Sequence, residues 1–144
     1  MCNSRYFIAI ILRKLRNFNL RLKGYRLEPS VIIEGAVRLD RLNPKGVIIG
    51  ANTLIARGSV ILSHSHVHRT KENLPIFMDT YIGDNCFIGN NVIVNPGVKI
   101  GNNVIIGDGS VVTKDMPDFC FAAGNPARVI KENVGIEKYG TLKR

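Results

Sequence analysis

At 144 residues and 45% hydrophobic content, the chain has the size of one domain and is too apolar to be disordered. Twenty Lys and Arg against 11 Asp and Glu leave a formal charge of +9, which favours anionic ligands or surfaces. Three scattered cysteines, Cys2, Cys86 and Cys120, argue against a disulfide scaffold or a metal cluster and for a reducing compartment.

The charge is concentrated at the start, where residues 1–26 hold seven Lys and Arg and no acid. Residues 6–23 are expected to form an amphipathic helix. Ile8, Ile11, Leu12, Leu15, Phe18 and Leu22 recur at three- and four-residue steps, with Arg13, Lys14, Arg16, Arg21 and Lys23 between them. Such a helix either packs on the body of the protein or lies on an anionic membrane surface. Nothing accompanying the charge resembles a nucleic-acid-binding motif, so no nucleic-acid partner is expected. No segment is long enough to span a bilayer, and the apolar run 7–12 is too short for a signal peptide.

From residue 33 to about 117 a six-residue period dominates. Ile49, Ile55 and Ile61, then Ile82, Ile88, Val94, Ile100, Ile106 and Val112, head nine hexads. The second position is mostly Gly, the third and fourth are turn-forming (Asp84-Asn85, Asn90-Asn91, Asn102-Asn103), and the fifth is small or β-branched. Each hexad reads as a short strand and a tight corner, where Gly and Asn tolerate positive φ. Three hexads close one triangular coil of 18 residues, and stacked coils bury a continuous column. The expected fold is all-β, a parallel β-helix of about four coils.

The register breaks twice. Residues 42–45 interrupt it before Ile49, and residues 67–81 read as a loop pushed out of one coil. Just before that loop stand His64, His66 and His68. The chain divides into a basic helix and connector (1–30), the β-helix (31–124) and a tail (125–144). In that tail Gly124-Asn125-Pro126 turns the chain, residues 127–133 look helical, and 134–144 look frayed.

The strings Ile82-Gly-Asp-Asn-Cys-Phe-Ile-Gly, Val94-Asn-Pro-Gly-Val-Lys-Ile-Gly, Ile106-Gly-Asp-Gly-Ser-Val-Val-Thr-Lys-Asp-Met-Pro and Ala123-Gly-Asn-Pro-Ala-Arg-Val-Ile closely resemble the hexapeptide-repeat acetyltransferases. The sugar O-acetyltransferase group, galactoside and maltose acetyltransferases, is the nearest in flavour, over about residues 47–131. The resemblance implies a left-handed β-helix, a homotrimer with active sites between subunits, acetyl-CoA as cosubstrate, no metal, and a sugar or glycan acceptor. The sparse cysteines lead to the expectation of a cytoplasmic protein, and the charge run at its start to that of a peripheral contact between the basic helix and the inner membrane face.

The family's general base is a His at the end of a hexad before an extruded loop. In Ile61-Leu-Ser-His-Ser-His that position is His66. Val67 stands where the family pattern has Pro, so His64 is retained as the second choice. An imidazole with an ordinary pKa near ~6.5 suits the removal of a hydroxyl proton at neutral pH. No acyl-enzyme and no cysteine are needed, and a backbone N–H would serve the oxyanion. The family's cofactor contacts carry over to Phe87, Asn90, Asp108, Thr113, Lys114, Arg128 and Lys131, with Lys114, Arg128 and Lys131 facing the phosphates of CoA. Asp108 replaces a common Ala and Phe87 a common Trp. Two other functions compete: N-acetylation of a nucleotide-linked amino sugar, and a non-catalytic β-helix scaffold. A γ-type carbonic anhydrase does not fit, because its three His ligands are spread over coils and chains, whereas His64, His66 and His68 alternate along one segment.

Overall fold

The computed structural model describes residues 4–144, so Cys2 lies outside the described range. A helix, α1 (Ser4–Leu22), leads into short strands that visit three sheets in rotation. The first rotation is β1 (Arg26–Leu27), β2 (Ile32–Ile33) and β3 (Arg38–Leu39); the second is β4 (Val47–Ile49), β5 (Leu54–Ile55) and β6 (Val60–Ile61). An antiparallel hairpin, β7 (His64–Arg69) and β8 (Pro75–Phe77), then leaves the body. Rotation resumes with β9 (Thr80–Ile82), β10 (Phe87–Ile88) and β11 (Ile93–Val94). It continues through β12 (Lys99–Ile100), β13 (Ile105–Ile106) and β14 (Val111–Val112), and β15 (Phe121–Gly124) and β16 (Ala127–Lys131) close the second sheet. The first sheet runs β1-β4-β9-β12 and the third β3-β6-β11-β14, all parallel.

The expected 18-residue step appears as register: Phe87 pairs with Ile105 and Ile88 with Ile106. All nine hexad heads are at most 2% exposed and form the column inside the three sheets. Burial of one such aliphatic side chain contributes roughly 1.5–3 kcal/mol, so the repeat itself drives the fold.

The corners divide their labour between two positions. The fourth position takes φ near +55°, at Asn52, Asn85, Asn91 and Asn103, or is Gly58, Gly97 or Gly109. Second-position glycines are needed for close approach instead. A Cβ on Gly83 would collide with the Gly101 carbonyl, and one on Gly89 with Asp108 and the Ile106 carbonyl. Side chains of the next coil fill this space: Asp84 accepts the Ala51 N–H at 2.7 Å, Asn102 the Asp84 N–H at 2.8 Å, and Asp118 the Asn102 N–H at 2.7 Å.

Three expectations need correction. The extruded element is a β-hairpin, not an irregular loop, and it begins at His64, because the chain leaves the coil after buried Ser63; Tyr81 is already back in the first sheet. The expected C-terminal helix over 127–133 is strand β16. It returns antiparallel along β15 and covers the edge that a last coil would leave unpaired. Residues 134–144 are pinned, not frayed: Val134 and Ile136 are buried, Tyr139 donates its N–H to Asn52 at 2.8 Å, and Asn103 holds the Ile136 carbonyl at 2.8 Å.

Candidate active site

Both register breaks fall on one edge of the prism, where the chain crosses from the third sheet to the first. Residues 40–46 make the crossing between β3 and β4, and the hairpin occupies it between β6 and β9. One coil on, Asn95-Pro96-Gly97 makes the same crossing. Another coil on, Thr113, Lys114 and Asp115 make it. The register that stacks them is Leu62 N–H to the Val94 carbonyl (3.1 Å) and Asn95 N–H to the Val112 carbonyl (3.0 Å).

At the head of this edge lies a buried carboxylate that sequence reasoning missed. Asp40 Oδ1 accepts the N–H of Leu42 at 2.9 Å and of Asn43 at 3.2 Å, and Oδ2 accepts the Ser63 N–H at 2.7 Å. His64 Nδ1 sits 2.5 Å from the same Oδ2. Burial pushes the Asp40 pKa up. The Ser63 N–H, the His64 ring and the N–H groups of Asn43 and Leu42 outweigh that and hold it below the ordinary carboxylate value. Asn43 braces the arrangement: its Nδ2 donates to the Ser63 carbonyl at 2.8 Å, and Ser63 Oγ donates to the Asn43 carbonyl at 2.7 Å. The break at 42–45 marks the neighbouring stretch as irregular but does not single out Asp40.

His64 extends the line outward. Its Nε2 lies 3.0 Å from His66 Nε2, with the rings edge to face. When His64 is neutral and gives its Nδ1–H to Asp40, its Nε2 is an acceptor; in that tautomer His66 donates through Nε2–H and its Nδ1 lone pair is left for an incoming proton. His66 is exposed on the hairpin, and Arg69 Nε donates to its carbonyl. His68 stands apart, bonded to Ser65 Oγ at 3.2 Å.

The anticipated cofactor residues fall in separate places. Thr113 and Lys114 share the His66 edge, and Lys114 and Arg128 line one shallow pocket of about 180 Å³ with Met116 and Ala127. Asn90 and Asp108 lie on the edge between the second and third sheets, where Asp108 accepts the Asn90 N–H at 2.7 Å. Phe87 lies under the tail, whose Gly140 backbone packs against it. Lys131 pairs with Phe121 and is exposed. Burial pushes the Cys86 thiol up to about 12, so it is a packed neutral group and not a nucleophile.

Residues 79–114 match the family model for bacterial transferase hexapeptide (six repeats). The chain is 45% identical to the galactoside O-acetyltransferase of Escherichia coli (strain K12), over 60% of this chain and 44% of that protein. It is 31% identical to the putative colanic acid biosynthesis acetyltransferase WcaF of the same organism, over 88% of this chain and 80% of that protein. A solved galactoside acetyltransferase in complex with coenzyme A superposes with a TM-score of 0.58 at 29% identity, covering 86% of this chain and 82% of that one. The chain spans about half the length of the first curated relatives it matches.

Proposed function

Because this chain belongs to the hexapeptide-repeat acetyltransferase family, we propose that it moves an acetyl group from acetyl-CoA to a hydroxyl of a sugar or polysaccharide precursor, with His66 as general base. The observation that carries this reading is the line Asp40–His64–His66, set on an edge that bears Lys114 two coils further along. Two coil steps are about 10 Å at the usual strand spacing. A long anionic cosubstrate lying down that edge would meet the Lys114 and Arg128 cations with its phosphates and bring its thioester toward the hairpin.

The acceptor O–H donates to His66 Nδ1. As the acceptor oxygen bonds to the thioester carbonyl carbon, His66 takes the proton. The C–S bond then breaks, and the leaving thiolate recovers a proton from the imidazolium. His64, held by Asp40, accepts the Nε2–H of His66 and spreads the charge of that imidazolium toward the buried carboxylate. The winding in this reading is left-handed with about four coils. Three copies side by side would set the Lys114 edge of one against the Asn90–Asp108 edge of another, so both expected sets of cofactor contacts could serve one groove. The site of action is the cytoplasm, where the cosubstrate would be met.

Thiol release from acetyl-CoA with a panel of sugars tests the reading. The wild-type chain should turn over, and His66→Ala should lose about 10²- to 10⁴-fold. Full turnover in His66→Ala with loss in His64→Ala would move the base to His64. Full turnover in both would leave the chemistry elsewhere. No turnover by the wild type with any hydroxyl, but turnover with amino sugars, would replace O- by N-acetylation.

A further inference from the structure

Helix α1 covers the open end of the coil stack. Strands β1, β2 and β3 are the terminal members of their sheets, and the helix packs on β1. Asn17 Nδ2 donates to the Val31 carbonyl at 2.7 Å, and Leu20 packs on the column beside Val37 and Leu39. The body-facing side of the helix is Ile10, Arg13, Asn17 and Leu20, the residues that are buried or half-buried. It is the less apolar side.

The strongly apolar side points the other way. Ile8, Ile11, Leu12, Leu15, Phe18 and Leu22 form one stripe on the helical wheel, and every one is exposed, Leu15 by 60%, Phe18 by 61% and Leu22 by 71%. Lys14 and Arg21 run along one border of the stripe, and Arg5 along the other. No acid precedes Glu28. A helix whose task was to close the coil end would turn this stripe inward, so the reversed orientation calls for an apolar medium outside the chain.

We infer that the outward face of α1 is a docking surface for an anionic lipid bilayer, with the stripe entering the acyl boundary and the three flanking cations meeting the headgroup phosphates. Charge decides between occupants. A second copy laid stripe to stripe would bring Lys14 and Arg21 against the same cations, with no acid on the helix to offset them. Subunits packed side by side, as proposed above, leave the coil ends free and point three such helices in one direction, which multiplies a weak attachment. The inference concerns the helix alone and stands whatever the acceptor is.

Flotation of the full chain with vesicles of phosphatidylcholine containing phosphatidylglycerol, against phosphatidylcholine alone, provides the test. Wild type should float with the anionic vesicles and release as salt rises. Leu15→Ser with Phe18→Ser should weaken binding about tenfold or more, and Lys14→Gln with Arg21→Gln about fivefold for each cation removed. Circular dichroism and light scattering on each variant keep misfolding and altered assembly apart from lost binding. Failure of the wild type to float would overturn the inference. So would unchanged flotation of the Leu15/Phe18 variant, or a change in its oligomer size without a change in flotation. Thiol release with soluble sugars in the same samples reads the enzymatic proposal independently of the lipid result.

Discussion

At the scale of single residues, the site depends on Asp40. It is fully buried, and four donors converge on its two oxygens. Its folded pKa is depressed, so the stability it confers is present above the ordinary carboxylate value and is lost as pH falls through the lower folded value. Asp40→Asn should therefore destabilise the protein by roughly 1–3 kcal/mol at neutral pH. It should also flatten the loss of stability below about pH 4, read from urea midpoints across the acid range. In the proposed mechanism Asp40 orients His64 without touching substrate, so the same variant should lower turnover while leaving the acetyl-CoA KM near wild type. Asp40 was not legible as a site residue: one acid among 11 carries no label, and only contact with His64, 24 positions away, gives it a role.

The secondary elements divide into those that local periodicity specifies and those that it does not. Hexad strands are specified twice, by the buried head and by the small residues that let coils approach. Gly89→Ala places a methyl against the Ile106 carbonyl and Asp108, whereas Gly35→Ala meets nothing within 4 Å. The first should cost about 1–3 kcal/mol by overpacking and the second close to nothing, measured as urea midpoints of the two variants. The hairpin and β16 were read as loop and helix because each departs from the sixfold period. Pairing with a neighbour (β7 with β8, β16 with β15) decided their form, and no short-range pattern encodes such pairing. Helix α1 was legible as a helix from its three- and four-residue steps. Which face it would bury was not, because the apolar stripe faces outward and the polar Asn17 is buried.

At the scale of the whole molecule, the expected cofactor contacts are spread out: Lys114 on one prism edge, sharing a pocket with Arg128 of β16, Asn90 and Asp108 on another edge, and Phe87 under the tail. One chain cannot present two of its own edges to one elongated ligand. Light scattering should therefore give about three times the 16.0 kDa chain mass; a stable monomer would contradict a shared groove. Sequence alone determined the repeat, its 18-residue coil, the buried column and the family resemblance. Each of these is a matter of spacing along the chain, and a regular coil converts spacing directly into position. Only the tertiary structure decided that both interruptions lie on one edge, that Asp40 reaches His64, that the tail is pinned over Phe87, and that the helix turns its apolar stripe away from the body. These depend on which coils stack and on which residues distant in sequence meet, and that is settled by packing, not by period.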